Sequence, residues 1–308
     1  YDWVVTDAIS ANVWVRITDA DYETGTYDIS NNPFMIKGAL VLNSPVGGEQ
    51  WIVGEKHFIT WTATGTIPFV ELKYSIDGGL DNYPYQVTTT SVASGSGTHG
   101  YEWTIPQVHL SVADQIKVKV LDARPAFSSI VYNPPLGNFK IKGDFIVNSP
   151  ANGDIRLVGI ETSITWTWVG YIPNVKLEYS TDAAHTTWST IITSTANSGS
   201  YNWLTPGNSG DLSGTVRIRI SNTDDSDVKK FSTGDFRIRD RFDVTYPEGS
   251  AIQIAEQTNQ PISWTSVSPA GKLINVRLQW SRDDFVSDIN DIIASTPNDG
   301  YHLWTIPS

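Results

Sequence analysis

The amino-acid sequence predicts an all-β protein built of tandem antiparallel β-sandwiches arranged as a rod. Short segments alternate apolar and polar residues with a period of two, as in residues 70–75 (VELKYS). Clusters of Gly, Pro, Asn, Asp and Ser separate these segments, as turns do in sandwiches. No ten-residue stretch carries helical periodicity with caps. A third observation, a long internal repeat, sets the number of sandwiches.

The repeat is visible in short landmarks that return about once per small domain. Pro45 and Pro150 are 105 residues apart, and Pro150 and Pro247 are 97 residues apart. This period is too long for a helical solenoid and fits one small sandwich. The landmarks are N-S-P, N-S-P and T-Y-P at residues 43–45, 148–150 and 245–247, I-T-W, I-T-W and I-S-W at 59–61, 164–166 and 262–264, and Y-x-W at 1–3, 101–103 and 201–203, with Y-x-x-W at 301–304.

The repeat predicts four domains or parts of domains. Residues 39–143 and 144–240 are predicted to be complete sandwiches. Residues 1–38 match the C-terminal half of a unit, strands E to G, and residues 241–308 match the N-terminal part, strands A to E. In the second complete unit the predicted strands are residues 144–149 (A), 163–168 (B), 174–180 (C), 189–193 (C′), 200–204 (E), 214–221 (F) and 234–239 (G).

Large aromatic residues are predicted to fill the sandwich cores. On strand B, Trp166 is expected to pack against Tyr179 on strand C and Trp203 on strand E. Short joints at residues 37–38, 142–143 and 239–240 leave little slack between units, which favours a stiff rod.

The first complete unit carries a longer motif. It consists of Gly47, Gly48, Glu49, Trp51, Gly54, Ile59, Trp61, Tyr74, Asp77, Gly78, Gly79, Tyr101, Trp103, Pro106 and Phe139. This pattern resembles Ig-like and fibronectin-III-like domains, and more narrowly the extracellular repeats of bacterial surface proteins and of the Ser/Thr-rich, GPI-anchored yeast cell-wall family. The resemblance implies secreted or surface-attached modules in arrays, with no catalytic residues. The second unit departs from it, with Ala183 and Ala184 in place of the glycine pair.

Composition excludes several classes of protein. The chain has 308 residues, 21 Lys and Arg against 33 Asp and Glu, and a net charge of −12. Nucleic acid is therefore not expected as a partner, because phosphate binding needs a basic face. No apolar run approaches 18 residues, so this segment is not expected to span a membrane. The absence of cysteine removes thiol catalysis, disulfides and thiolate metal sites.

The sequence offers little for enzymatic chemistry. The five histidines show no metal-binding spacing, and the nucleophile-elbow and phosphate-loop motifs are absent. A Ser-His-Asp site stays open from sequence, because triad members are distant along a chain. Acidic residues such as Glu71 and Glu178 fall at outward strand positions, where a solvated surface is expected. The prediction is a non-enzyme with no catalytic, cofactor-binding or metal residues. The histidines are His57, His99, His109, His185 and His302.

Two aspartate clusters are the best candidates for a cation. They occupy equivalent loops at residues 19–21 (DAD) and 224–227 (DDSD). Closely spaced carboxylates favour a hard cation such as calcium, but neither cluster has EF-hand spacing. The first complete unit has Asp122, Ala123 and Arg124 there instead. No cofactor is predicted, and calcium and a simple polar turn stay open as alternatives.

Twelve tryptophans raise the question of glycan binding, since aromatic faces stack on sugars. Eight of them recur at inward positions of the repeat: Trp3, Trp61, Trp103, Trp166, Trp203, Trp264, Trp280 and Trp304. The other four are Trp14, Trp51, Trp168 and Trp188. Packing between neighbouring domains and a glycan platform are alternatives for these four.

The incomplete units at residues 1–38 and 241–308 have two explanations. Flanking units of a longer array can complete them, or one subunit can donate strands to the next, which gives a filament. The second explanation supplies strand E twice, at residues 1–3 and 301–304, and this surplus favours the first explanation. The predicted function is a non-enzymatic stalk, fibre or sheath segment at the cell surface. Its predicted partners are neighbouring copies or further repeats. An adhesin or cell-wall glycan-binding module is the alternative.

Overall fold

The computed structural model describes residues 1–21, 25–107, 114–134, 136–207, 212–249, 251, 253–268 and 273–307. Every regular element in these ranges is a β-strand, which confirms the all-β prediction. The same ranges contain no helix that is long and apolar enough to cross a membrane. The chain forms two compact bodies, Tyr1–Asp144 with Val169–Tyr171, and Phe145–Trp168 with Ile172–Ser308.

The N-terminal segment, residues 1–38, forms two antiparallel strand pairs. The first strand pairs with the fourth through Ser10↔Ile36 and Val13↔Phe34. The second pairs with the third through Arg16↔Ile29. The strands are β1 (Ser10–Val13), β2 (Arg16–Thr18), β3 (Tyr27–Ile29) and β4 (Phe34–Ile36).

The first sandwich, residues 39–143, packs two antiparallel sheets face to face. Its strands are β5 (Ala39–Ser44), β6 (Gln50–Ile52), β7 (Lys56–Thr64), β8 (Phe69–Ser75), β9 (Tyr85–Gln86), β10 (Val92–Ala93), β11 (Gly97–Thr104), β12 (Lys117–Asp122) and β13 (Lys140–Lys142). One sheet has the order β11-β7-β5, and the other has the order β10-β8-β12 with β9 also on β8. Strand β6 pairs in parallel with β13 at the sandwich edge.

Aromatic residues from both sheets fill the core of the first sandwich. Trp61 on β7 is fully buried, and Trp103 on β11 lies 5.2 Å from Tyr74 on β8. Trp51 also packs in this core, 4.7 Å from Phe139. The alternation along β7 and β8 puts one face of each strand into this core, as the period-two pattern predicted.

The second sandwich, residues 144–240, repeats this arrangement. Its strands are β14 (Asp144–Ser149), β15 (Ile155–Leu157), β16 (Glu161–Val169), β17 (Asn174–Ser180), β18 (Ser189–Ala196), β19 (Ser200–Leu204), β20 (Ser213–Asn222), β21 (Lys229–Phe231) and β22 (Phe236–Arg239). The sheets have the orders β14-β16-β19 and β15-β22-β20-β17-β18, with β21 also on β20. All seven predicted strands are present. Trp166, Tyr179 and Trp203 are buried together, as the sequence predicted.

The third unit, residues 241–308, has strands at positions A, B, C, C′ and E of the repeat. These are β23 (Arg241–Tyr246), β24 (Gln260–Val267), β25 (Asn275–Trp280), β26 (Asn290–Pro297) and β27 (Tyr301–Trp304). They form the sheets β23-β24-β27 and β25-β26. The tandem antiparallel sandwich fold is therefore confirmed. Its arrangement as a rod stays a prediction.

A recurring turn explains part of the sequence motif. Glu49 accepts hydrogen bonds from the backbone N–H groups of Val46 (2.6 Å) and Gly47 (2.8 Å). A Cβ on Gly47 would lie 2.6 Å from the Cα of Gly137, so only glycine fits there. Asp154 accepts in the same way from Ala151 in the second sandwich. Pro45, Pro150 and Pro247 each follow a cis peptide bond in this part of the repeat.

Two predictions for residues 1–3 are wrong. These residues form no strand, although the Tyr-x-Trp motif predicts strand E there. In the other units strand E pairs with strand B, as β27 does with β24, and the N-terminal segment contains no strand B. Trp3 is consequently 49% exposed rather than inward, with its ring 6.2 Å from Phe34.

Candidate functional site

His57 and His99 pack against tryptophan rings. His57 stacks on Trp51 at 4.4 Å and contacts Glu55 at 3.1 Å. His99 lies against Trp61, with ring centroids 6.0 Å apart. His302 lies on β27, and His109 lies outside the described residues. These surroundings are those of packed or half-exposed side chains.

The closest approach to a catalytic arrangement is at His185 in the second sandwich. Its Nε2 lies 3.1 Å from Asp235, and Asp235 also accepts a hydrogen bond from Arg217 Nε at 2.6 Å. The buried Nδ1 of His185 has no hydrogen-bond partner among the described residues, so no hydroxyl completes a triad here. Arg217 neutralises the carboxylate that would orient the imidazole.

Aspartate side chains in both clusters accept hydrogen bonds from the backbone of their own turns. The backbone N–H of Asp21 donates to Asp19 at 2.9 Å, and that of Asp227 donates to Asp225 at 3.1 Å. These are the local hydrogen bonds typical of Asx turns. Across the part of the chain that the structure describes, no three His, Asp or Glu side chains are grouped so that they could hold a metal.

Glu178 on β17 differs from its prediction as a solvated acid. It is only 4% exposed, because two basic side chains cover it. Lys176 Nζ lies 2.6 Å from its Oε1, and Arg219 donates from Nε at 2.7 Å to its Oε2. Burial raises the pKa of Glu178, but the hydrogen bonds and charges of Lys176 and Arg219 outweigh burial and hold it below the usual value. The group is a neutralised carboxylate rather than a free acid or base.

Aromatic residues beside this ion pair form a surface cluster on the second sandwich. The guanidinium of Arg219 lies 4.3 Å from the ring centroid of Trp188, and Phe231 lies 5.5 Å from that ring. Phe231 is exposed. Of the four tryptophans outside the inward pattern, Trp14 and Trp168 are also exposed, whereas Trp51 belongs to the core.

An unfilled apolar groove lies on the third unit. A groove of about 440 Å³ runs along β25 and β24, lined by Phe242, Val244, Ile262, Trp264, Leu273, Asn275, Val276, Arg277 and Leu278. Phe242 is 48% exposed there, whereas Phe145, at the same position of the second sandwich, is 0% exposed. Side chains that face a core in one unit thus face an open groove in the other.

The N-terminal segment shows the complementary exposure. Val15, Ile17 and Phe34 project apolar side chains that are exposed to solvent. The equivalent residues of the second sandwich, Ile218, Ile220 and Phe236, are fully buried. Apolar faces that are buried in the second sandwich are therefore open to solvent in the N-terminal segment and in the third unit.

No family model matches the chain. No curated protein matches it either. Among solved structures, it is similar to the fibronectin(III)-like modules of Clostridium thermocellum CbhA, with 16% identity over 65% of this chain and 92% of that one, at a TM-score of 0.22. It is also similar to a tetra-tandem repeat in the extending region of a large adhesion protein, with 15% identity over 96% of this chain and 72% of that one, at a TM-score of 0.28. At these values the likenesses carry no functional argument.

Sequence reasoning located most strands and core aromatic residues, and it left open whether a neighbouring chain covers the unburied faces of the two incomplete units. A signal was present in the sequence. The alternation of Val13, Val15 and Ile17 predicts a buried face, and residues 1–38 supply no second sheet to bury it.

Proposed function

We propose that the chain is a non-enzymatic structural segment of an extracellular, surface-attached repeat protein, such as a stalk, fibre or sheath. The observation that carries the proposal is the repetition of one sandwich with one strand register. Strands β17 and β25 pair with their neighbours β18 and β26 through the same sequence of partners, shifted by one repeat. Repeated sandwiches set length, and the net charge of −12 keeps an array soluble.

The packing of the tryptophan, histidine and buried acidic side chains supports the proposal. The tryptophans of strands B and E pack in cores or toward them, His57 stacks on a core tryptophan, and Glu178 is neutralised by two cations. A structural module uses such residues for packing, whereas an enzyme keeps reactive groups open to substrate. The proposal includes the narrower resemblance of the sequence motif to the repeats of bacterial surface proteins and of yeast cell-wall proteins.

A glycan-binding or adhesive function is the second candidate. The cluster of Trp188, Arg219 and Phe231 favours it, because exposed aromatic rings beside a guanidinium suit a sugar face and its hydroxyl groups. Against this candidate, Trp188 is half-buried and its indole N–H already donates to the carbonyl of His185 at 3.0 Å.

Two measurements on the whole chain separate the candidates. We expect small-angle scattering to give an elongated particle and glycan arrays, including β-glucans and peptidoglycan fragments, to give no saturable binding. Saturable binding that Trp188→Ala abolishes, and that the exposed but unclustered Trp14→Ala retains, would replace the structural proposal with the adhesive one. Hydrolysis of a glycan by the purified chain would overturn the non-enzymatic assignment.

A further inference from the structure

We propose that the groove of the third unit binds strands β1 to β4 of a second copy of this chain, with β2 of that copy pairing along the free edge of β25. The inference rests on the proposed structural function and names the partner through which chains would assemble. It follows from three comparisons within the structure, which concern the edge of β25, the strand pairs of the N-terminal segment and the exposed apolar faces.

Strand β25 has a free edge where its equivalent has a partner. In the second sandwich, β17 pairs with β18 on one side and with β20 on the other. Strand β25 repeats the first pairing closely, since Leu278↔Ile293 matches Leu177↔Ile192. Among the described residues, no strand pairs with the other edge of β25. An unpaired edge beside an apolar groove is a template for another strand.

Strands β1 to β4 have the pattern that this edge lacks. Ser10↔Ile36 and Val13↔Phe34 match Ser213↔Ile238 and Val216↔Phe236 in the second sandwich, and both pairs of strands shift register between these positions. Further along, Arg16↔Ile29 matches Arg219↔Phe231. Strands β1 to β4 are therefore strands F and G of a sandwich, already paired in the geometry that they adopt when they cover a core.

The apolar faces complement each other. Val15, Ile17 and Phe34, which are exposed, correspond to residues that are at most 1% exposed in the second sandwich: Ile218, Ile220 and Phe236. In the second sandwich those residues cover the core, whereas the corresponding groove of the third unit is open to solvent. Docking would remove apolar surface from water on both sides, which is the main driving force for protein association.

The second sandwich also fixes the expected register. It pairs Leu177↔Ile220 and Glu178↔Arg219. Transferred to the third unit, this register pairs Leu278 with Ile17 and Gln279 with Arg16. A register shifted by one residue would turn Ile17 to solvent, so the apolar alternation selects this pairing.

The docked pair contains each strand once. Strand E of the third unit is β27, and residues 1–3 form no strand, so the duplication that the sequence suggested is absent. Each chain carries one donor segment and one acceptor groove on different surfaces. Such a contact is heterologous, and copies that bind this way form an open chain when the rotation between them does not close a ring.

Single cysteines test the pairing, because the chain has none of its own. Arg16→Cys and an affinity-tagged Gln279→Cys chain are mixed and oxidised under mild conditions. Opposed residues on antiparallel strands have Cα atoms about 4.5–5.5 Å apart, within the range of about 4.4–6.8 Å that a disulfide spans. We expect a linked dimer whose cross-linked peptides contain positions 16 and 279. The control is Asp291→Cys on β26, which lies on the far side of Gln279. It should give less than about one tenth of the product, because it is one strand farther away.

A chain that carries both Arg16→Cys and Gln279→Cys identifies the occupant of the groove. Docking of a second copy predicts a ladder of linked chains. An internal disulfide in a monomer would show that a chain fills its own groove, and this would overturn the proposal. Efficient linkage of Arg16→Cys to Asp291→Cys instead of Gln279→Cys would overturn the register. Failure to form any linked species would also overturn the proposal. In that case the strands that fill the groove would come from elsewhere in a longer polypeptide.

A pair of aspartate variants tests the energetics without altering the core of a single chain. Ile17 is exposed, so Ile17→Asp should leave the melting temperature of the monomer unchanged. Burying its charge in the groove should raise the concentration for half-assembly by at least about 100-fold in sedimentation experiments. The control is Trp14→Asp, which changes an exposed apolar residue between β1 and β2 and should change this concentration less than about tenfold. Equal effects of the two variants would overturn the proposal.

The outcomes also separate this inference from the proposed function. A native chain that stays monomeric at all concentrations but scatters as an elongated particle overturns the inference alone. Chains that link through positions 16 and 279 but bind a glycan saturably support the inference and overturn the structural function.

Discussion

Ile17 and Ile220 occupy the same position in equivalent strand pairs, but Ile17 is 73% exposed and Ile220 is 1% exposed. Both side chains alternate with polar neighbours, and both strands pair with a short antiparallel neighbour in the same register. The difference is the strand on the other side: Ile220 lies opposite Leu177 of β17, and Ile17 has no such partner among the described residues. The N-terminal segment is therefore a sandwich fragment without its second sheet.

This difference predicts unequal hydrogen exchange. In the monomeric Ile17→Asp chain, the amides of β2 and β3 should exchange at least about tenfold faster than those of β20 and β21, because few packed side chains oppose local opening. Peptide-resolved mass spectrometry measures both in one sample. Equal protection would mean that the N-terminal segment is stable by itself, contrary to its exposure.

A buried hydrogen bond that recurs between units should contribute to their stability. Trp166 Nε1 donates to Asn197 at 2.7 Å, and Asn197 donates onward to the carbonyl of Ile172 at 2.9 Å. Asn197→Ala should destabilise the second sandwich by about 1–3 kcal/mol, because it leaves both buried groups unpaired. Hydrogen exchange within β16 and β19 measures this loss.

The control for Asn197→Ala is Asn298→Ala. Asn298 accepts from Trp264 at 2.8 Å in the third unit. Its substitution should raise exchange there and leave β16 unchanged. Faster exchange in both units after either substitution would contradict local action.

Glu178 should make the stability of the second sandwich depend on pH. Its folded-state pKa lies below the ordinary value of 4.5, so its contribution is complete above pH 4.5 and is lost as pH falls through the folded-state pKa. At pH 7, Glu178→Gln should cost about 1–3 kcal/mol, since it leaves the partly exposed Lys176 and Arg219 without their counter-charge. The difference in stability between the native chain and the variant should shrink below pH 4.5. Hydrogen exchange of β17 and β20 measures this difference.

A half-buried carboxylate provides the control. Glu71 on β8 pairs with Lys73 at 2.9 Å near the surface. Glu71→Gln should cost less than about 1 kcal/mol. A similar cost for both substitutions would mean that burial of Glu178 adds nothing to its ion pairs.

Adjacent glycines of the Gly-Gly-Glu turn should differ in their tolerance of alanine. Both have positive φ, 124° at Gly47 and 85° at Gly48. Either substitution therefore costs about 1–3 kcal/mol in backbone strain. Gly47→Ala should lower the melting temperature further, because its Cβ would meet the backbone of Gly137, whereas no atom lies within 4 Å at Gly48. Thermal unfolding of the whole chain compares them, and equal losses would contradict the steric explanation.

The sequence was sufficient for strands whose two faces differ in polarity. Residues 174–180 were predicted to their observed bounds because Val175, Leu177 and Tyr179 are apolar on one face. Two short strands, β15 and β21, were missed. Each has three residues, and pairing with a neighbouring strand rather than its own pattern defines it.

The side-chain environment was harder to predict than the strands. Glu178 is buried because Lys176 and Arg219 cover it, and Arg219 lies 41 positions away on β20. Trp51 is in the core because β6 pairs with β13 near the far end of the same unit. Such contacts depend on which strands become neighbours, and a local pattern of residues does not contain this information.

The central claim is that sandwiches of this chain are completed by a neighbouring copy, and the most direct test is electron cryo-microscopy of the native assembly. The account predicts a continuous filament in which the strand beside β25 carries the side chains of residues 16–18 and traces to the next chain. Separate particles, or a strand beside β25 that traces to the same polypeptide, would contradict it.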